Sequence, residues 1–505
     1  MLQGTGSDVG KSILVAALCR IARQQGYAVA PFKPQNMSNN AHACSNGGEI
    51  GRAQAVQAQA AGIEPCVDLN PVLLKPQSDR TAQVVVQGEV LDTQSAQHYM
   101  DSRDRLLTPV TQSFRRLVEQ YDLLIVEGAG SPAEVNLRAR DIANMGFAQA
   151  AGVPVCLIGD IDRGGVIAAL AGTQAVLDAQ DAAYIQGFVI NKFRGDPQLF
   201  EDGIRLITQR TGWPCWGVVP WLPAARRLPA EDAVPLEQGA SRQAGGDQAQ
   251  RQPIKVAAPL ISRVANFDDL DPLRLETDVD VVFVPPGSPI PRDTDVVVLL
   301  GTKSTLADLD FLHAQGWHHD IYAHVRQGGR VLGLCGGYQM LGKVIDDPDG
   351  FDGTPRQQAA GLGLLDVQTR MLPDKVVRPV RGICVDSDAP VEAYEIHTGE
   401  TSGADALRPL FQLTPEFARP GSTSQREGAQ SANGKIQGTY LHGLFKADAF
   451  RRHWLQQIRA DWHSEFVYRE SVEQAMDELA EQVSAHLDVA AVFDAAQPVG
   501  WHPAL

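Results

Sequence analysis

A cysteine between small residues at a strand-to-helix junction is the sharpest chemical feature of this sequence. Gly333-Leu334-Cys335-Gly336-Gly337 closes the apolar run Arg-Val-Leu-Gly-Leu and opens Tyr-Gln-Met-Leu-Gly. Small neighbours permit a tight turn that presents the side chain, the thiol counterpart of a nucleophile elbow. The N-terminus of the following helix favours thiolate. Such a nucleophile needs a proton acceptor that later returns the proton, and Thr439-Tyr440-Leu441-His442-Gly443 supplies His442 after another strand. The amide of Gly336, with one from the Gly301-Thr302 turn, can form an oxyanion hole. The competing structural readings are a small buried thiol and a satisfied core histidine. Together the residues point to acyl transfer through a thioester.

A second chemistry sits at the start of the chain. Gly4-Thr5-Gly6-Ser7-Asp8-Val9-Gly10-Lys11-Ser12 precedes an apolar helix pattern. Glycines let successive amides point at a phosphate, Lys11 adds a charge, and Ser12 can ligate Mg²⁺. Thr5 stands where G-x-x-x-x-G-K-[ST] has its first glycine. Only Met1, Leu2 and Gln3 come before the loop, so the central strand should be short, with strand residues missing upstream. A magnesium ion needs a further anionic ligand at a neighbouring strand end. Glu127, closing Leu-Leu-Ile-Val, is the first candidate, with Glu49 and Asp160 behind it.

Three polar clusters follow other strand ends. Pro31-Phe32-Lys33-Pro34 leads into Gln35, Asn36, Ser38, Asn39 and Asn40, suited to phosphate or a polar substrate. Arg138, Arg140 and Asp141 occupy EVNLRARDIANMG, and Asp160, Asp162 and Arg163 occupy GDIDRGG. Each could equally be a salt bridge or a helix cap; three at strand ends favour one shared cleft.

Positioning these groups requires alternating elements. Continuous apolar runs such as DLLIVEG, VPVCLIGD and AAYIQGFVIN read as strands buried on both faces of a parallel sheet. Helical patterns lie between them, so the fold class is α/β, two doubly wound domains with ligands at the strand ends. The expected division is 1–225, a Pro/Gln/Gly-rich linker at 226–253, a second domain at 254–450 and a helical tail at 451–505. At 505 residues more than one core is required. A formal charge of −16 disfavours nucleic acid. No run is apolar enough to span a membrane and no signal pattern is present. Seven scattered cysteines without C-x-x-C suggest a reducing cytoplasm.

GLCGGYQMLG with YLHG resembles class I glutamine amidotransferase domains. The opening loop fits G-T-x-x-x-x-G-K-[ST], the form found in dethiobiotin synthetase-like ATPases, which accounts for Thr5. With PQNMSNNA, RDIANMG and GDIDRGG, nearly the whole chain resembles the cobyric acid synthases of cobalamin biosynthesis. The resemblance implies ATP- and glutamine-dependent amidation of the b, d, e and g carboxylates of adenosylcobyrinic acid a,c-diamide. Cys335 and His442 would release ammonia, and Mg-ATP would activate the carboxylate as an acyl phosphate. Gly4, Thr5, Gly10, Lys11, Ser12 and Lys33 would bind ATP, and Ser12, Glu127 and Glu49 would hold Mg²⁺. Asn36, Asn39, Arg138, Asp141 and Asp162 would face the corrinoid. Many class I domains carry a Glu two residues after the histidine; here Leu444 stands there, as in cobyric acid synthases generally. Glu395 and His397 remain as possible orienters of His442. The rivals are the same machinery acting on another acid, as in cobyrinate a,c-diamide synthase, and a ParA-like nucleotide switch. Oligomeric state is not legible.

Overall fold

The computed structural model describes residues 1–45, 47–77, 81–230, 252–352, 357–414 and 425–498, and the backbone alone over 92–104. In the first domain β1 (Leu2–Gly4) lies parallel to Val155–Asp160, which continues through Ile185–Phe193 to Cys215–Pro220. On the other side β2 (Val29–Phe32) runs parallel to Leu123–Val126, and a bridge from Leu2 to Glu127 joins the two halves. β1 has three residues, as short as its sequence requires. Alternate residues feed opposite faces: Cys156 and Ile158 enter one core, Val155 and Leu157 another.

Two helices matter most for the site. α1 (Lys11–Gln24) leaves the opening loop, and α2 (Arg52–Ala61) packs against it through small alanines. α2 stops at Gly62, whose φ of +74° suits glycine in a left-handed cap. A four-stranded sheet, from Gln35–Met37 through Val72–Pro76 to the Thr81–Val86 and Glu89–Ser95 hairpin, extends this domain toward the second.

The second domain has a parallel sheet in the order Val279–Val284, Ile254–Pro259, Val296–Leu299, Arg330–Leu334, Ile436–Thr439, with Ala429–Gln430 antiparallel at one edge. A second sheet, mainly antiparallel, is built on the long hairpin Val367–Cys384 and Pro390–Gly403. Uniform α/β alternation does not anticipate it. The hairpin packs on the first domain, where Ala41, Ala43, Leu73 and Val85 share a small core with Tyr394 and Ile396.

The tail divides between the domains. Phe450 and Trp454 of Asp448–Ile458 enter the second domain's core. The helix Tyr468–His486 returns to the first, burying Val472, Met476, Leu479 and Val483 in the core of α1. Arg20 pairs there with Glu473 at 2.9 Å and Asp477 at 2.7 Å. Most of the expected linker, 231–251, lies outside the described residues, and Leu228 just before it joins the same core. No helix among the described residues is long and apolar enough to cross a membrane, and all seven cysteines are free.

Candidate active sites

Cys335 has φ +52° and ψ −110°, a conformation rare for any residue with a Cβ. Such strain costs about 1–3 kcal/mol and is kept where function fixes it. The turn is possible because its neighbours lack side chains: a Cβ on Gly337 would lie 2.0 Å from the Leu299 carbonyl oxygen. Cys335 N–H donates to the Thr439 carbonyl at 2.8 Å, joining the cysteine turn to the strand that leads to His442. A methyl built on Gly301 would sit 3.2 Å from His442 Cε1 and 3.6 Å from Cys335 Cβ. Gly301 therefore lines the gap between nucleophile and base. A Cβ on Gly336 would lie 3.2 Å from the Thr302 amide nitrogen, so the second amide beside the elbow belongs to Thr302.

The group on His442 is one the sequence reading missed. Nδ1 lies 2.6 Å from Asp269 Oδ2, and the other carboxylate oxygen accepts the Gly443 amide at 2.6 Å. Glu395 instead pairs with Arg378 at 2.6 Å, and His397 stacks on Tyr440. Burial alone would drive the His442 imidazole down, but Asp269 and the neighbouring Cys335 raise it from 6.5 to about 10. Asp269, His442 and Cys335 thus stand together as carboxylate, imidazole and thiol, the arrangement that suits an orienter, a base and a nucleophile.

The opening loop has the shape its sequence implies. Gly10 has φ +95°, and a Cβ there would meet Asn191 Nδ2 at 2.3 Å. Lys11 Nζ donates to the carbonyls of Gly6 (3.1 Å) and Gly130 (3.2 Å). Ser12 Oγ donates to Glu127 Oε1 at 2.8 Å, and Lys33 Nζ is 2.8 Å from the same oxygen. Gln57 Nε2 reaches Glu127 Oε2 at 2.6 Å, while Gln57 Oε1 is buried without a hydrogen-bond partner among the described residues. These are hard oxygen donors, few in number, which suits a Mg²⁺ that keeps waters and phosphate oxygens in its shell.

Other expected ligands are engaged elsewhere. Glu49 pairs with Lys75 at 2.8 Å and with Lys375 of the long hairpin. Burial would raise it, but the two ammonium groups hold it down to about 2. It is an interdomain ion pair here, not a partner of Ser12. Arg138 grips Asp181 at 2.6 and 2.9 Å. Asp141 accepts the amides of Ala143, Asn144 and Gly146, each at 2.9 Å, and so caps the turn into the next helix. Asp162 is exposed and pairs with Arg194 at 2.6 Å. Asp160 accepts from Lys192 at 2.9 Å. Asn36 bonds Gln54 at 2.8 Å, and Asn39 Oδ1 is buried without a partner among the described residues. No group of three or more His, Cys, Asp or Glu suited to a metal occurs among them.

Residues 1–236 match the CobQ/CobB/MinD/ParA nucleotide binding domain, and 255–450 match the CobB/CobQ-like glutamine amidotransferase domain. Proteins called cobyric acid synthase from Hyphomonas neptunium and Paracoccus denitrificans are 59% and 56% identical to it. These alignments cover 100% and 98% of this chain and 98% of each relative. One from Brucella suis is 55% identical, with 98% of both chains covered. The chain belongs to the cobyric acid synthase family.

Proposed function

We propose that the chain amidates the b, d, e and g carboxylates of adenosylcobyrinic acid a,c-diamide, using ATP and ammonia from glutamine. The observation that carries this is a Cys335–His442–Asp269 triad and a phosphate loop with Glu127, joined in a chain 59% identical to a cobyric acid synthase over its length. His442 holds the proton of Cys335, whose thiolate attacks the glutamine amide carbon. The imidazolium then protonates the leaving ammonia, and water releases glutamate from the thioester. The amides of Gly336 and Thr302 face the oxyanion.

A carboxylate does not exchange oxygen for ammonia unaided, and transfer of the ATP γ-phosphoryl group to it creates a leaving group. Lys11 and Lys33 would offset phosphoryl charge, and the loop amides of Gly4, Thr5 and Gly10 would cradle the phosphates. Ser12 and Glu127 would hold Mg²⁺, which supplies charge neutralisation at the phosphates. Asn36 and Asn39, which follow Lys33, would meet the corrinoid. Arg138, Asp141 and Asp162, held by their ion pairs and cap, would face the same substrate. An acidic chain with free thiols fits the cytoplasm.

The test is a mass-spectrometric count of amides added to the a,c-diamide with glutamine and ATP. Four additions are expected, and none with Cys335→Ser unless ammonia replaces glutamine. Amidation of cobyrinic acid but not of its a,c-diamide would overturn the substrate assignment. Undiminished glutamine use by Cys335→Ser would overturn the mechanism.

A further inference from the structure

α2 reaches from the phosphate-loop site to the residues that surround the triad. Gln57 bonds Glu127 and the Ser12 carbonyl at 2.6 and 3.2 Å. Five residues earlier, about 7.5 Å along the axis, Arg52 leaves the first domain for the glutaminase triad. Arg52 is 2% exposed. Its Nε lies 2.9 Å from Asp268 Oδ2, and its Nη2 donates to the Tyr394 hydroxyl. Asp268 adjoins Asp269, the carboxylate on His442. The Tyr394 ring stacks on His442 with centroids 5.4 Å apart and planes 23° apart. Asn266 ties the same hydroxyl, at 2.8 Å, to Asn40 of the first domain, whose Oδ1 accepts the Asn266 amide at 2.7 Å.

Two adjacent buried carboxylates repel unless one is neutralised. Lys446 is 4.0 Å from Asp268, against 2.9 Å for Arg52, so the close counter-charge comes from the other domain. With Asp268 neutralised, Asp269 is left to orient the imidazole. The ring face of His442 thus stacks on a residue that Arg52 holds, and the carboxylate on its Nδ1 adjoins another.

We propose that Arg52 is a positioning residue for glutamine hydrolysis, setting His442 through Asp268 and Tyr394 and coupling that setting to the phosphate-loop site at the other end of α2. This rests on the function proposed above. When nucleotide rearranges the Ser12–Glu127–Gln57 contacts, α2 carries the change to Arg52, and ammonia release rises when the acceptor carboxylate is being activated.

The experiment measures glutamine hydrolysis by the full chain, with and without Mg-ATP plus adenosylcobyrinic acid a,c-diamide. Coupling between sites typically amounts to about 5- to 150-fold, so stimulation of at least about fivefold is expected in the wild type. In Arg52→Met and in Tyr394→Phe the stimulation should collapse toward unity. The loss should fall on kcat with KM for glutamine held, while ammonia-dependent amidation persists. Tyr394→Phe keeps the stacked ring and removes only the hydroxyl, so it decides the matter if Arg52→Met does not fold. A wild type that amidates yet shows no stimulation, or variants that keep it, would overturn the coupling. A wild type that adds no amide even with ammonia would sink the function reading instead.

Discussion

Replacing Asp269 by Asn tests the glutaminase triad most directly. Both oxygens of Asp269 accept, one from His442 Nδ1 and one from the Gly443 amide. An asparagine has one accepting oxygen. If that oxygen keeps Gly443, its NH₂ faces Nδ1 and forces the tautomer that carries its proton on Nε2, toward the thiol. If it keeps His442, two N–H donors confront each other at Gly443. The raised titration of His442, from 6.5 to about 10, corresponds to a preference for imidazolium on the order of 5 kcal/mol. Asp269 is the first cause raising it, so its neutralisation should return the ring toward or below the ordinary value. Loss of an orienting carboxylate elsewhere costs about 10⁴-fold in kcat, and a fall of about 10³- to 10⁴-fold is expected here. Glutaminase kinetics with NMR titration of the imidazole provide the assay, with ammonia-dependent amidation as the control for folding. Glutamine hydrolysis within tenfold of wild type, or a ring still titrating near 10, would refute the reasoning.

Glu127→Gln removes the charge shared by Ser12 and Lys33, and should lower ammonia-dependent amidation by about 10²-fold or more while glutamine hydrolysis survives; steady-state assays of the two half-reactions separate these. Gly301→Ala places a methyl against His442 and the Ala265 carbonyl, both at 3.2 Å, and should cut glutaminase kcat by about 10- to 100-fold with ammonia-dependent amidation intact. The His442 group titrates higher folded than unfolded, so its stabilising contribution is full below about pH 6.5 and lost as pH rises through about 10. Urea unfolding of wild type and His442→Asn should accordingly converge with rising pH, and a gap that widened would contradict the sign.

What the sequence displayed and what it concealed differ in kind. The cysteine turn and phosphate loop are local. Their glycines state a backbone requirement, and Cys335 and Lys11 stand within it. Glu127 was legible as a neighbour of Ser12 because its strand ends beside the loop. Asp269 was not, because 173 residues separate it from His442 and Asp268-Asp269 looks like any acidic helix start. Arg138, Asp141 and Asp162 are harder to read. Charged groups at strand ends suggest a cleft, yet each is satisfied within its own loop or by a neighbouring helix or strand. Composition suggested a linker at 226–253, but it could not show that Tyr468–His486 returns to the first domain.

That returning helix sets an order on biosynthesis. A ribosome releases the phosphate loop, α1 and their sheet long before Val472, Leu479 and Val483, the side chains that share their core, have been made. The glutaminase half can finish first, reversing the usual progress of folding from the front of a nascent chain. Until then the unfinished half presents an apolar surface to chaperones. A translation product stopped after the second domain would leave that face of α1 uncovered, and the first domain would lack part of its own core.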